Sequence, residues 1–135
     1  MGGAAPNPTR RNSTCRPGVL LVDDDESVRA VVAMLLEHLG FTAYQAASGA
    51  AAREILSVQR AEIHGILLDW LLPGEDGPQI LGALRQVAPA VPVVVMSGNL
   101  STAAAAEFTR LGTPVHLQKP FGMQQLSAAL SAVGL

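Results

Sequence analysis

Short apolar runs alternate with longer amphipathic segments from residue 18 to the end of the chain. The first run, residues 19–22, contains only Val and Leu and is followed directly by three aspartates. Such runs are typical of strands that are buried on both faces, whereas the segments between them repeat apolar residues at a helical period. Strand–helix alternation of this kind predicts a parallel sheet that is covered by helices on both sides.

Five strands and five helices are predicted, with turn residues at their boundaries. Ser48 and Ser101 are candidate helix caps, Gly40 and Gly112 are candidate helix ends, and residues 73–77 form a loop by composition. The predicted strands are residues 19–22, 42–46, 63–68, 93–96 and 115–117. The order of these elements favours one α/β domain.

The composition and charge of the chain limit its possible functions. Residues 1–17 are rich in Pro, Gly and polar side chains, which predicts a flexible tail or linker before a single domain at 18–135. The net charge of −2 and the scattered arginines disfavour nucleic-acid binding. No apolar run approaches the roughly 20 residues that would cross a bilayer, so we expect a cytoplasmic protein without membrane contact.

Polar side chains stand at the ends of four predicted strands. Asp23 and Asp24 follow the first strand, Asp69 the third, Ser97 the fourth, and Lys119, the only lysine, the fifth. Open parallel sheets bind ligands beyond the carboxyl ends of their strands. These side chains are therefore expected to meet at one edge of the sheet.

Phosphoryl transfer to a carboxylate requires this combination of groups. Neighbouring carboxylates repel one another, and hard oxygen donors favour Mg²⁺ as the compensating cation. Asp69 is suited to form an aspartyl phosphate, and Ser97 and Lys119 can stabilise the phosphoryl oxygens. Each residue alone is also typical of a turn or a solvated helix start. Their joint placement favours a functional site.

Four segments in order resemble the response-regulator receiver family of two-component signalling, across roughly residues 18–133. They are similar to its first strand with an acidic pair (residues 19–29), its phosphoacceptor segment (67–77), its strand with a switch hydroxyl (93–98) and its lysine–proline motif (117–121). The resemblance implies a flavodoxin-like doubly wound sheet of five parallel strands, in order 2-1-3-4-5, with five helices.

The resemblance also implies the chemistry of the site. Asp69 would take a phosphoryl group from a sensor histidine kinase or a histidine phosphotransfer domain. Mg²⁺ would be held by Asp24, Asp69 and the backbone carbonyl of Leu71, with Asp23 acting mainly through water. The domain would catalyse its own phosphorylation and dephosphorylation in this phosphorelay, without turning over a separate substrate.

The resemblance assigns Ser97 and Lys119 to the phosphoryl group and implies a cis bond before Pro120. Ser97 would move on activation and alter the face formed by the fourth helix, fifth strand and fifth helix, through which a monomer could form a weak dimer. His116 stands where the family commonly has a Tyr or Phe switch residue. Whether it switches or is an ordinary strand histidine stays open. Gly98 adds backbone freedom after Ser97.

Two further expectations concern the variable positions and the chain ends. Leu71 and Asn99 flank the phosphoryl site of the family, and Leu71 cannot orient an attacking water, so slow autodephosphorylation is expected. The chain ends two residues beyond the last assigned helix position, which suggests a stand-alone regulator or an excised receiver without a following effector domain. Residues 96–98 and 117–121 resemble C-terminal receivers of hybrid histidine kinases.

Two alternatives come from other classes of protein. A haloacid-dehalogenase-like phosphatase would use Asp23 as its nucleophile, because Asp23, Asp25, Ser97 and Lys119 resemble its first three motifs. That family requires a further acidic motif downstream, yet no acid follows Glu107. The other alternative is a pseudo-receiver, a binding module that is not phosphorylated, but such domains usually lack one of the acids or the lysine.

Overall fold

The computed structural model describes residues 16–98 and 101–135. Within these residues, five strands pair in parallel in the order β2-β1-β3-β4-β5. The strands are β1 (Gly18–Val22), β2 (Thr42–Ala46), β3 (Ile63–Asp69), β4 (Val93–Ser97) and β5 (His116–Gln118). The helices are α1 (Glu26–His38), α2 (Gly49–Val58), α3 (Gly77–Val87), α4 (Thr102–Arg110) and α5 (Met123–Ala132). The predicted doubly wound fold is confirmed.

Both faces of the sheet are buried, as the uninterrupted apolar strands predict. Leu20 of β1 and Ile66 of β3 pack in one core with α2 and α3. Leu21 and Leu67, the next residues on the same two strands, pack in a second core with α1 and α5. Because successive strand residues point to opposite faces, each central strand contributes to both cores.

Helix capping follows local chemistry. The Ser48 hydroxyl accepts a hydrogen bond from the Ala51 amide at the start of α2, and the Ser101 hydroxyl caps α4 in the same way. The carboxylate of Asp25 accepts hydrogen bonds from the amides of Ser27 and Val28 and so caps α1. Short polar side chains are suited to satisfy the free amides of a first helical turn.

Several boundaries differ by one residue from the prediction. Helix α3 begins at Gly77, one residue before the proline that was expected to open it. Strand β5 begins at His116, because its ladder with β4 starts there and not at Val115. Asp69 and Ser97 close β3 and β4 as their last residues, so they belong to the strands and do not follow them. Their backbones are thereby held by the sheet.

The predicted tail lies mostly outside the described residues, and the division into 1–17 and 18–135 stays a prediction. Pro17, however, is attached to the sheet, because its carbonyl accepts a hydrogen bond from the Thr42 amide at 2.9 Å. Gly40 and Gly112, the predicted helix ends, have φ angles of 97° and 81°. These left-handed conformations are favourable for glycine. Among the described helices, none is long and apolar enough to cross a membrane.

Candidate functional site

The polar residues at the strand ends meet at one edge of the sheet. Lys119 follows β5 and Asp23 follows β1, and the Lys119 Nζ lies 2.7 Å from the Asp23 Oδ2 although 96 residues separate them. The same ammonium lies 3.2 Å from the Oδ2 of Asp69 at the end of β3. Parallel strands end at the same edge, so the fold itself brings these distant residues together.

A third carboxylate, that of Asp24, completes an acidic cluster. Within the described residues, one oxygen each of Asp23, Asp24 and Asp69 lie within 4.8 Å of one another. Asp23 and Asp69 are 1% and 5% exposed, whereas Asp24 is exposed. We call these three acids and Lys119 the acidic pocket. Asp23 and Asp69 are thus shielded from water, whereas Asp24 lies at the solvent-exposed side of the pocket.

Asp23 is held by hydrogen bonds to both its side chain and its backbone. Its Oδ1 accepts a hydrogen bond of 2.9 Å from the Asp25 amide, and its Oδ2 accepts from Lys119. Its backbone carbonyl accepts a bond of 2.8 Å from the Arg29 guanidinium, and its amide donates to the Ala46 carbonyl. Both side-chain oxygens of Asp23 are therefore engaged by the protein.

The surroundings of Asp69 have opposing effects on its pKa. Burial raises its pKa above the usual value of 3.8 and the charge of Asp23 adds to this effect, whereas the Leu71 amide and Lys119 act against it. The Leu71 amide donates to the Asp69 Oδ1 at 3.2 Å. Burial by itself would lower the pKa of Lys119, but the hydrogen bond to Asp23 and the charges of both acids raise it. Lys119 is thus a firmly protonated partner.

The chemistry of these donors fits a hard divalent cation. Three carboxylates face one ammonium, so the pocket has excess negative charge. Carboxylate oxygens, with backbone carbonyls and water, are the ligands that Mg²⁺ prefers, and an additional cation would relieve the repulsion. Asp23, Asp24 and Asp69 are the residues that could hold it.

The residues at the ends of β4 and β5 lie beside the pocket. Ser97 is 3% exposed, and its carbonyl accepts a hydrogen bond of 2.9 Å from the Lys119 amide. The bond between Lys119 and Pro120 is cis, as the resemblance implies. Gly98 is exposed. Asn99, the other predicted flanking residue, lies outside the described residues.

An aromatic row, formed by Trp70, Phe108 and His116, runs from the end of β3 to β5. Trp70 meets Phe108 edge-on with ring centroids 5.2 Å apart, and Phe108 lies 5.6 Å from the His116 ring. The His116 Nδ1 is 3.0 Å from the Pro114 carbonyl. Trp70 and Phe108 were not predicted from the sequence as neighbours of the site. The available signal was an aromatic residue next to Asp69 and another within the Ala-rich α4.

The chain is thus a doubly wound α/β domain with a cluster of carboxylates and one lysine at the carboxyl edge of its sheet. Comparison with known proteins specifies the family. The model of the response regulator receiver domain matches residues 19–131. The chain therefore belongs to the response regulator receiver family, and the resemblance read from its four segments is confirmed.

Curated relatives include proteins of very different length. The chain is 33% identical over 112 residues to the sensor kinase CckA of Brucella abortus, covering 83% of this chain and 12% of that protein. It is 34% identical to a putative NtrX-like response regulator of Rickettsia conorii, covering 84% and 24%. With sporulation initiation phosphotransferase F of Bacillus subtilis it shares 29% identity, covering 83% and 89%. The chain thus spans only a fraction of the first two relatives.

Solved structures show the same fold. Chemotaxis protein CheY4 of Vibrio cholerae is 27% identical with a TM-score of 0.79, covering 88% of this chain and 99% of that one. A response regulator receiver protein of Pseudomonas putida is 27% identical with a TM-score of 0.77, covering 87% and 98%. These likenesses agree with the strand order observed here.

Proposed function

We propose that this receiver domain accepts a phosphoryl group on Asp69, with Mg²⁺, from a phosphohistidine of a sensor histidine kinase or histidine phosphotransfer domain. The observation that carries the proposal is the place of Asp69: a buried carboxylate at a strand end, 3.2 Å from the only lysine and clustered with two further acids. The phosphoryl group then acts as a signal by changing the surface around α4, β5 and α5.

The reaction is a displacement at phosphorus. A carboxylate oxygen of Asp69 forms the new O–P bond while the N–P bond to the donor imidazole breaks, and the imidazole takes a proton from solvent. Asp69 must be ionised to attack, and its pKa is raised by burial. The protonated Lys119 favours the ionised form and then pairs with the phosphoryl oxygens. The Ser97 hydroxyl, at the end of the neighbouring strand, is suited to donate to the same oxygens.

The contacts of Asp23 support a particular division of roles in metal binding. Both of its oxygens already accept hydrogen bonds, from the Asp25 amide and from Lys119. A role through water therefore suits Asp23, and the exposed Asp24 is suited to bind directly. Asp69 and the Leu71 carbonyl would be the other direct ligands, as the resemblance implies. When bound, Mg²⁺ would supply positive charge to the crowded carboxylates and to the phosphoryl oxygens.

The proposal also covers the consequences of phosphorylation. The new charge beside Ser97 and Lys119 would shift a pre-existing equilibrium of the β4–α4 side of the domain. The face formed by α4, β5 and α5 would then present a changed surface to an output partner or to a second receiver in a weak dimer. His116 lies on this face, and its ring contact with Phe108 supports a role as a second switch residue.

The decisive experiment treats the protein with acetyl phosphate, or with beryllofluoride, in the presence of Mg²⁺. After treatment with acetyl phosphate, mass spectrometry of the wild type should show one labile phosphoryl group, which Asp69→Asn abolishes. Beryllofluoride, which mimics a phosphoryl group without transferring one, should bind the wild type and not Asp69→Asn. Asp76→Asn is a matched control, because Asp76 is an exposed acid of the loop after Asp69 and makes no side-chain capping bond. This control should be phosphorylated like the wild type.

The same experiment separates the alternatives. A phosphatase that uses Asp23 as nucleophile would hydrolyse a phosphate ester, lose that activity in Asp23→Asn and retain it in Asp69→Asn. A pseudo-receiver would show no modification that depends on Mg²⁺. Either result would replace the proposed function.

A further inference from the structure

Glu75, in the loop between β3 and α3, has a contact that the proposed phosphoryl chemistry does not use. Its Oε1 accepts a hydrogen bond of 2.9 Å from the Gly49 amide at the start of α2. The loop, residues 70–76, starts directly after Asp69. A side chain of this loop thus reaches a different helix, 26 residues away in sequence.

The contact depends on the absence of a side chain at residue 49. A Cβ on Gly49 would lie 2.6 Å from the Glu75 Oε1 and 3.0 Å from the Ile80 Cγ1. Both distances are too short for ordinary packing, so the glycine provides the space in which the carboxylate approaches the backbone. The Glu75 carboxylate and the glycine are complementary parts of one contact.

The start of α2 favours a carboxylate at this position. The amides of a first helical turn have no partner within the helix and carry partial positive charge. The Ser48 hydroxyl satisfies the Ala51 amide and Glu75 satisfies the Gly49 amide, so two of these amides have defined acceptors. The hydrogen bond of Glu75 is charge-assisted, which strengthens it relative to a neutral pair.

The loop is fixed at both of its ends. At the near end, the Leu71 amide donates to the Asp69 Oδ1. At the far end, the Glu75 amide donates to the Leu72 carbonyl at 3.1 Å, closing a turn in which Gly74 has a φ of 73°. Leu72 is buried. The Glu75 side chain attaches this closed turn to α2 and so restrains the backbone on which Leu71 lies.

From these contacts we infer that Glu75 is a positioning residue for the acidic pocket. It holds the loop so that the main chain of Leu71 keeps its place beside Asp69, and it thereby raises the affinity for Mg²⁺ without touching the cation. This inference rests on the proposed function, because it presupposes that the pocket binds Mg²⁺ through Asp69 and the Leu71 carbonyl.

Binding of Mg²⁺ to the full chain tests the inference, with Trp70 fluorescence or calorimetry as the readout. Residues that orient metal ligands typically contribute about 10- to 100-fold in affinity, and Glu75 acts only through the backbone. Glu75→Ala should therefore weaken Mg²⁺ binding by about five- to tenfold. Glu75→Gln keeps an acceptor oxygen of the same reach and should recover most of the loss. Glu54→Ala, which removes an equal charge from the exposed face of α2, should bind like the wild type.

A second variant breaks the same contact from the opposite side. Gly49→Ala places a methyl group where the Glu75 Oε1 lies, so it should weaken Mg²⁺ binding as Glu75→Ala does. If the two changes act through one contact, their effects should not add. The double variant should then bind Mg²⁺ about as weakly as the single variant that binds it more weakly. Thermal unfolding of the metal-free variants shows whether each still folds.

The results distinguish two failures. If the wild type binds Mg²⁺ and Glu75→Ala binds it equally well, Glu75 has no positioning role although the proposed function stands. Equal weakening by Glu75→Ala and Glu54→Ala would show a general charge effect and would also overturn the inference. If the wild type fails to bind Mg²⁺, or binds it unchanged after Asp69→Asn, the proposed function fails and the inference with it.

Discussion

The acidic pocket contains Asp69 and the aromatic row contains its neighbour Trp70, yet different interactions hold the two regions together. Contacts in the pocket are directional, with the Lys119 Nζ at 2.7 Å and 3.2 Å from two carboxylate oxygens. Contacts in the row join ring centroids 5.2 Å and 5.6 Å apart. The end of β3 therefore contributes Asp69 to a group of paired charges and Trp70 to a row of packed rings.

The two regions should therefore tolerate substitution to different degrees. Charges in a buried pocket depend on every partner, because a group that loses its counter-charge retains the full cost of desolvation. Aromatic packing depends mainly on shape and volume, and it allows small displacements. The pocket is suited to chemistry at a fixed geometry, and the row is suited to transmit a movement between β3, α4 and β5.

Replacing the pocket's lysine should have the largest effect. Lys119→Ala removes the positive charge that opposes the raised pKa of Asp69. It also removes the group that we propose to pair with the phosphoryl oxygens. We expect the rate of phosphorylation by acetyl phosphate to fall about 10²- to 10³-fold, the usual cost of losing one stabilising donor. Rates are measured by mass spectrometry under saturating Mg²⁺. A variant that keeps more than about a tenth of the wild-type rate would contradict the role of Lys119.

A change in the row should affect stability and leave the chemistry intact. Phe108 is fully buried between Trp70 and His116, so Phe108→Leu removes both ring contacts while keeping an apolar side chain. We expect a loss of about 1–2 kcal/mol in the free energy of unfolding, measured by urea denaturation. The rate of phosphorylation should stay at the wild-type level. A large fall in this rate would show that pocket and row are not separate.

Leu71, at the edge of the acidic pocket, should affect the lifetime of the phosphoryl group. The Leu71 side chain is 68% exposed beside the pocket and cannot hydrogen-bond a water molecule. Leu71→Asn provides an amide that can orient water towards the phosphoryl group, so the phosphoryl half-life should shorten by about tenfold. Leu71→Met is the apolar control. Equal half-lives for wild type and Leu71→Asn would show that residue 71 does not limit dephosphorylation.

The smallest expected effect concerns pH. Burial, aided by the charge of Asp23, raises the pKa of Asp69 above 3.8, so the folded protein binds this proton more tightly than the unfolded chain does. The metal-free domain should therefore lose stability as pH rises from the unfolded pKa through the raised folded pKa. Asp69→Asn lacks this group and should lose less stability over the same interval.

Urea denaturation of both proteins in EDTA, between about pH 4 and about pH 7, measures this difference. The control is Asp76→Asn, which replaces an exposed acid of the same loop. Parallel curves for wild type and Asp69→Asn would mean that Asp69 titrates alike in the folded and unfolded states.

Much of the fold could be predicted because its causes are local. Buried strands appear as continuous apolar runs, and the Ser48 and Ser101 caps act within one turn of their helices. The cap formed by Asp25 is equally local, because an aspartate directly before a helix can accept from the amides of its first turn. The meeting of Asp23 with Lys119 also followed from the sequence, since a parallel sheet brings all strand ends to one edge.

Other contacts depend on the paths of loops and could not be found in this way. The approach of Glu75 to Gly49 requires the loop after β3 to close its turn next to α2. The bond between Arg29 and the Asp23 carbonyl requires one particular side-chain direction on α1. Such contacts join residues by their positions in space, and no periodicity or composition of the chain encodes those positions.

The strand–helix alternation and the residues at the strand ends could be predicted from the sequence, because they depend on patterns along the chain. The strand order and the family were implied by the resemblance of four segments. Three contacts become visible in the tertiary structure: both oxygens of Asp23 are engaged, Trp70 and Phe108 connect Asp69 to His116, and Glu75 attaches the loop after β3 to α2. The physical reason is that side-chain contacts between elements depend on how several helices pack on the sheet at once, whereas strands and caps depend on neighbours within a few residues.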